Sequence, residues 1–124
     1  MKDIDSLKLV SAIVKILDDK KAQNIEVIKV NDISTMTDYF VICSGGSTTQ
    51  IKALSDAVEV GIKEQFDLNV SHREGYTSAS WVLLDYINVI LNVFQGDARD
   101  FYKLERLWAD GEHIDISNFI GEGE

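Results

Sequence analysis

Apolar residues recur at helical spacing in three stretches of the chain. Residues 6–20 carry an apolar stripe with polar residues between its members, which predicts an amphipathic helix. A second stripe follows Ser47, where Ser47 and Gln50 form a capping-box pattern that predicts a helix start. A third stripe lies within residues 97–108, and this range begins with Asp97, a residue type that often caps helices. We therefore predict three helices.

Short runs of β-branched and aromatic residues lie between the helical stripes and favour strands. These runs are residues 25–30, 39–43, 68–73, 81–85 and 89–94. The run at 39–43 is apolar throughout, which is typical of a strand covered on both faces. Residues 86–88 join the last two runs, and so short a link predicts an antiparallel hairpin. The order of elements predicts an α/β (α+β) domain with a mixed five-stranded sheet flanked by helices.

The charge of the chain bears on the class of partner. Its 124 residues suit one domain, and 21 acidic residues against 12 basic ones give a net charge of −9. Affinity for nucleic acid comes mostly from Lys and Arg that neutralise phosphates. The balance therefore argues against a free-standing DNA or RNA binder and favours a basic partner.

The acidic excess is concentrated at the C-terminal end. From Ala109 onward the chain has no Lys or Arg. We interpret residues 1–109 as the folded domain and residues 110–124 as a mobile acidic tail. Four apolar residues could instead dock this tail onto the domain, namely Ile114, Ile116, Phe119 and Ile120.

Cysteine content and the first residues bear on the cellular location. Cys43 is the only cysteine, which excludes an internal disulfide and suits a reducing compartment. Residues 1–5 lack the apolar run of a secretory leader, and no stretch has the roughly 20 apolar residues of a membrane span. We expect a cytoplasmic protein with no membrane partner.

The segment Gly45-Gly46-Ser47 lies between a predicted strand and a predicted helix, where free backbone amides can bind phosphate. The chain has neither a Gly-Lys-Ser/Thr motif nor the three-glycine dinucleotide fingerprint here. A tight turn followed by a helix cap accounts for the same residues, and we favour that interpretation.

A strand, a Gly-Ser pair and a helix in this order also resemble nucleotidyltransferases, which need two neighbouring carboxylates to hold metal. Asp56 and Glu59 instead lie within the predicted helix, and Asp85 stands alone on its strand. His72 and His113, the only histidines, lack zinc-ligand spacing with Cys43. The sequence therefore predicts no catalytic residue, no cofactor and no metal site.

Trp81 begins an apolar run directly after the polar residues 77–80. Tryptophan is prominent in binding hot spots, but it also fills cores at the ends of sheets. The pattern leaves both interpretations open. For Trp108, whose spacing places it on the third helical stripe, we expect a structural role.

Three motifs follow one another in the chain. They are residues 37–42 with Ser44, Gly45, Ser47 and Gln50; Glu74-Gly75 with residues 81–86 and 89–94; and residues 99–108. Together they resemble the signatures of the iojap-like ribosomal silencing factor family over about residues 5–108. One position departs from that pattern: Asn92 stands where the family often has His, so the side chain stays polar but cannot carry a charge.

The resemblance implies a nucleotidyltransferase-like scaffold without the enzymatic activity. It further implies binding to large-subunit ribosomal protein fourteen, which sterically blocks joining of the two ribosomal subunits and represses translation under nutrient limitation. A ribosomal target of this kind is a basic protein set in anionic RNA. A chain with a net charge of −9 would be attracted to the protein and repelled by exposed RNA phosphates.

We predict a partner-binding surface centred on Trp81, with Val82 and Tyr76 as apolar neighbours. The acidic residues predicted to meet Lys or Arg of the partner are Asp38, Glu74 and Asp85. Two alternatives remain open. One is an active nucleotidyltransferase that binds nucleotide near Gly46 and Ser47, and the other is a homodimer that pairs through the Trp81 surface when the protein is free.

Overall fold

The computed structural model describes residues 5–30, 37–78, 80–95 and 109–119. In chain order its elements are α1 (Ser6–Asp19), β1 (Gln23–Lys29), β2 (Tyr39–Gly45), α2 (Thr48–Phe66), β3 (His72–Glu74), β4 (Trp81–Asp85), β5 (Val89–Gln95) and β6 (Glu112–Ile114), followed by a 3-10 turn at Ile116–Asn118. The helix predicted at residues 97–108, with Trp108, lies outside the described residues.

A mixed sheet with the strand order β3-β4-β5-β2-β1-β6 forms the centre of the fold. β2 and β5 pair in parallel, and the other neighbouring strands pair antiparallel. The α+β class, the mixed sheet and the β4–β5 hairpin are thus confirmed. All of β2 is buried, as expected for an apolar strand covered on both faces.

The two described helices place their apolar stripes on one face of the sheet. Their buried residues, such as Ile13 of α1 and Leu54 of α2, share one core cluster with Val41 and Leu91 of the central strands. The opposite face carries a second apolar cluster, formed by Ile28, Val30, Phe40, Ile42, Ile90 and Phe94 with the partly buried Trp81 and Leu83. Trp81 therefore lies on the sheet face away from α1 and α2.

The start of α2 confirms the predicted helix cap. Ser47 Oγ accepts a hydrogen bond from the N–H of Gln50 at 3.1 Å. In the usual capping box the Gln50 side chain would accept from the N–H of Ser47. Here Gln50 Oε1 accepts instead from the N–H of Gly46, one residue earlier, at 2.6 Å. The helix cap therefore uses the Gly46 amide.

The number of strands differs from the prediction, because β6 adds a sixth strand. It pairs with β1, with Ile114 opposite Val27. Ile114, Ile116 and Phe119 pack against the helix-side core, so the acidic segment is not separate from the fold at these residues. Ile120 lies outside the described residues. Three residues, two of them exposed, form too short a pattern to predict a strand.

The third strand also differs from the prediction. β3 spans His72–Glu74 instead of residues 68–73, and all three of its residues are exposed. Leu68 and Val70 precede the strand and pack against the core. The apolar residues at 68–70 thus indicate burial of this segment without strand pairing, and the pairing with β4 begins only at His72.

Candidate partner-binding surface

Trp81 is the first residue of β4 and is half-buried on the face away from α1 and α2. It stands opposite Phe94 in the β4–β5 register. The two rings stack, with centroids 5.1 Å apart and planes 22° apart. Cross-strand aromatic pairs of this kind stabilise a sheet and restrict the position of the more exposed ring.

Asn92 contacts the same tryptophan from inside the sheet. Its side chain is fully buried on β5, and its Oδ1 accepts a hydrogen bond from Trp81 Nε1 at 2.9 Å. The Nδ2 group of Asn92 is also buried and has no hydrogen-bond partner among the residues that the structure describes. Sequence reasoning noted Asn92 only as a departure from a family pattern. The usable signal was an amide inside an otherwise apolar strand, a position that asparagine seldom occupies.

Val82 does not belong to the surface predicted around Trp81. Successive side chains on a strand point to opposite faces, so Val82 points toward the helices when Trp81 points away. It has 0% exposure and is part of the helix-side core. Leu83 shares the face of Trp81 and is half-buried, so it replaces Val82 as the apolar neighbour.

Tyr76 lies in the loop between β3 and β4, and this loop runs against the start of β4. Gly75 has a φ of +79°, and a Cβ built on it would lie 2.0 Å from the Trp81 carbonyl oxygen. Only glycine therefore suits that position. The close approach of the two backbones brings the loop that carries Tyr76 beside the first residue of β4.

The hydroxyl of Tyr76 donates to Asp56 Oδ2 on α2 at 3.1 Å, and the Arg73 guanidinium lies 4.4 Å from the ring centroid. The hydrogen bond to the Asp56 carboxylate raises the pKa of Tyr76 above the ordinary value of 10.0. Arg73 also pairs with Glu59 at 3.0 Å. The surface beside Tyr76 thus carries charges of both signs.

The three acidic residues of the predicted surface lie in two separate places. Glu74 is exposed on β3, opposite Leu83, and its carboxylate contacts His72 Nε2 at 2.7 Å. Asp85 ends β4, about 13 Å along the strand from Trp81. Asp38 precedes β2 at that same far end, where its backbone N–H donates to the Asn88 carbonyl. Of the three acidic residues, the structure therefore brings only Glu74 near Trp81. The Tyr76 side chain does not share that face, because it reaches Asp56 of α2 on the helix side of the sheet.

Asp38 and Asp85 both make local bonds that hold the fold. Asp85 Oδ1 accepts the N–H of Ile87 at 2.7 Å, in a turn where Ile87 has a φ of +78°. Asp38 Oδ2 accepts the hydroxyl of Ser6 at 2.6 Å. These contacts give both carboxylates a structural role that sequence spacing could not reveal.

The features expected of a nucleotide site are engaged elsewhere. Gly46 gives its N–H to the helix cap, and Asp56 lies about 12 Å along α2 from its first residue. Asp56 bonds to Tyr76, and Glu59 pairs with Arg73. Among the described residues there is no group of three or more His, Cys, Asp or Glu that could hold a metal ion. Within the same residues, no helix is long and apolar enough to cross a membrane.

A groove on the other side of the molecule provides a contrast. It lies between α1 and α2, has a volume of about 600 Å³, and is lined by small and aliphatic residues that include Ile16, Ala57 and Val60, together with the charged residues Asp19, Lys20, Asp56 and Glu64. Val60 is 56% exposed. Val60 is therefore an apolar surface residue on α2, the helix that packs on the sheet face opposite Trp81.

Comparison with known proteins places the chain in a family. Residues 3–123 match the family model described as "Ribosomal silencing factor during starvation". The chain is similar to "Ribosomal silencing factor RsfS" of Bacillus subtilis, with 40% identity over 80% of this chain and 83% of the relative. It is also similar to the protein of that name from Halalkalibacterium halodurans, with 34% identity over 91% of this chain and 96% of the relative.

The fold agrees with a solved structure as well. A crystal structure of a protein from Chromobacterium violaceum matches with a TM-score of 0.79 and 26% identity, covering 98% of both chains. The family match extends past residue 110 and therefore includes the segment that carries β6. On this evidence the chain belongs to the ribosomal silencing factor family.

Proposed function

We propose that this protein is a non-enzymatic ribosomal silencing factor that binds the large ribosomal subunit through ribosomal protein fourteen. In this proposal the bound domain blocks joining of the small subunit and represses translation under nutrient limitation. The observation that carries the proposal is the half-buried Trp81, which stacks on Phe94 at the β3 side of the sheet. Family membership supports the ribosomal role.

The charge of the chain supports a protein target on the ribosome. A net charge of −9 favours encounter with a basic protein and disfavours contact with RNA phosphates. Charged groups at an interface rim mainly set the encounter rate, whereas desolvated aromatic groups supply most of the affinity. We assign the affinity to Trp81 with Leu83, and the complementary charge to Glu74 on the adjacent strand.

The mechanism needs no bond-making step. A domain of 124 residues that occupies the subunit interface excludes the small subunit by volume. A standard protein interface buries roughly 1,600 Å², and with a well-packed centre this area suffices for tight binding. Silencing then depends on how long the domain stays bound, and release restores joining without any chemical change.

The proposal is tested by sedimentation with purified large subunits. Trp81→Glu places a carboxylate on the half-buried docking residue, and we expect it to abolish co-sedimentation. Val60→Glu makes the same kind of change at an exposed aliphatic position on α2 and should bind normally. The two variants should also differ in a subunit-joining assay: Val60→Glu should still inhibit joining, and Trp81→Glu should not. Undiminished binding by Trp81→Glu would contradict the docking site, and normal joining in a saturating excess of the unmodified protein would contradict the function.

A second proposed property is self-association of the free protein through the same surface. Trp81 is only half-buried, and β3 beside it is a fully exposed edge strand of the described sheet. Exposed apolar residues next to an open strand edge favour pairing between copies. Dimerisation would then compete with ribosome binding. Light scattering should show a concentration-dependent dimer that Trp81→Glu abolishes, and a monomer at all concentrations would exclude it.

A further inference from the structure

The stability of the fold alone does not explain why asparagine occupies position 92. It has 0% exposure in the middle of β5, between strands β4 and β2. Its partners in the two registers are Leu83 and Ile42, both apolar. Burial of an amide is unfavourable unless its hydrogen bonds are replaced, and asparagine is depleted in strands. An apolar residue of similar size would pack at this position without that penalty.

The side-chain amide of Asn92 is engaged at its oxygen. Because an indole nitrogen can only donate, the group that meets Trp81 Nε1 at 2.9 Å must be the side-chain oxygen of Asn92. The Nδ2 group is buried and meets no acceptor within the described part of the chain. A buried polar group that is only half satisfied destabilises the fold, and natural proteins retain such groups mainly where they serve function or specificity.

We propose that Asn92 is a positioning residue for docking, whose buried side-chain carbonyl holds the indole of Trp81 in the orientation that the partner meets. This inference rests on the proposed function of the Trp81 surface. Stacking on Phe94 fixes the plane of the indole, but it permits the ring to slide and turn within that plane. The hydrogen bond to Asn92 is directional and removes this freedom.

Two consequences follow for binding. Holding the ring before the partner arrives reduces the conformational entropy that docking must otherwise remove, so the affinity rises without a new intermolecular contact. Because the only N–H of the indole is used inside the domain, the ring meets the partner through its carbon atoms and π-face. The partner group that suits this surface is an aliphatic side chain or a Lys or Arg cation.

A double-mutant cycle tests the inference. Asn92→Leu removes the acceptor and the buried Nδ2 donor together, and Trp81→Phe keeps a stacked ring but removes the indole N–H. We expect Asn92→Leu to bind purified large subunits about fivefold more weakly. We expect no further loss when Asn92→Leu is added to Trp81→Phe. Urea unfolding of Asn92→Leu should show a free energy of unfolding equal to or above that of the unmodified protein, which separates positioning from a structural role.

The opposite results would overturn the inference. These are unchanged binding by Asn92→Leu, or an equal loss of affinity whether Asn92→Leu is made alone or on top of Trp81→Phe. If Asn92→Leu fails to fold, Trp81→Phe removes the same hydrogen bond by deleting its donor, the indole N–H. Full affinity of Trp81→Phe would also overturn the inference. Normal binding by Trp81→Glu would reject both the proposed site and this inference. If Trp81→Glu loses binding and Asn92→Leu binds as well as the unmodified protein, only the inference is rejected.

A spectroscopic measurement on the free protein adds a second readout. The chain has two tryptophans, and Trp81→Phe assigns the indole N–H resonance of Trp81 in a ¹⁵N-labelled sample. In Asn92→Leu that resonance should shift, and its hydrogen exchange should accelerate, because the N–H loses its acceptor. An unchanged resonance with unchanged exchange would show that Asn92 does not hold the ring and would overturn the inference.

Discussion

Ser6 and Asp38 lie 32 residues apart in sequence, and the Ser6 hydroxyl donates to the Asp38 carboxylate at 2.6 Å. The side-chain amide of Asn88 donates to the same hydroxyl at 2.9 Å. This network joins the start of α1, the start of β2 and the β4–β5 hairpin. Asp38, which its sequence context suggested as a docking residue, thus links three parts of the fold.

Replacement of Asp38 should therefore lower stability and leave docking intact. We expect Asp38→Ala to reduce the free energy of unfolding by about 1 to 2 kcal/mol, because the Ser6 hydroxyl loses a charged acceptor in a partly buried place. Urea denaturation measures the effect, and Asp18→Ala, at an exposed position on α1, is the matched control. Weaker binding to large subunits by the folded Asp38→Ala protein would return Asp38 to the docking surface.

Gly75 should tolerate no side chain, because its φ of +79° and the Trp81 carbonyl 2.0 Å from a built Cβ exclude one. We expect Gly75→Ala to lower the free energy of unfolding by more than about 1 kcal/mol and to weaken docking by displacing the start of β4. Gly46→Ala is the control, since its Cβ would meet Gln50 Oε1 at an ordinary 3.6 Å. Equal stability of the two variants would contradict the close approach of loop and strand.

The cap of α2 should serve the helix and not a nucleotide. Ser47→Ala removes the acceptor for the Gln50 N–H and should lower the free energy of unfolding by about 1 kcal/mol. Calorimetry with nucleoside triphosphate and magnesium should give no binding heat for the unmodified protein, because the Gly46 amide already donates to Gln50. Saturable binding that Ser47→Ala abolishes would instead favour the nucleotidyltransferase alternative.

The bond between Tyr76 and Asp56 should make stability depend on pH in the alkaline range. The Asp56 carboxylate raises the pKa of Tyr76, so the neutral phenol is favoured in the folded state. The resulting stabilisation is fully present below the ordinary value of 10.0 and is lost as the pH rises through the raised pKa. NMR titration should show the Tyr76 pKa falling in Asp56→Ala. An unchanged titration curve would exclude this hydrogen bond as the cause.

Local patterns were sufficient for most of the fold. Helical spacing predicted α1 and α2, an apolar run predicted the buried β2, and a short link predicted the β4–β5 hairpin, because each of these depends on residues close in sequence. β6 depends on a partner strand far along the chain and has only three residues. No local pattern of that length distinguishes a strand from a polar loop.

The candidate site was predictable only in part, for a geometric reason. The position of a tryptophan at the start of a strand identified Trp81 from the sequence. Val82 lies in the core instead of on the surface, because successive side chains of a strand point to opposite faces. Asp85 lies at the other end of β4 from Trp81. Asp38 lies at that same far end, a relationship that appears only when β2, β5 and β4 are paired. Asn92 was visible as an anomaly, yet its contact with Trp81 required the β4–β5 register.

The position of β6 has a practical consequence for measuring binding. β6 lies four positions across the described six-stranded sheet from β4, the strand that begins with Trp81, so the two strands are roughly 19 Å apart at the usual strand spacing. Glu112 on β6 is exposed, and Cys43, the only cysteine, is fully buried. A thiol-reactive fluorophore on Glu112→Cys would therefore attach at one chosen point, far enough from Trp81 to report ribosome capture without obstructing it.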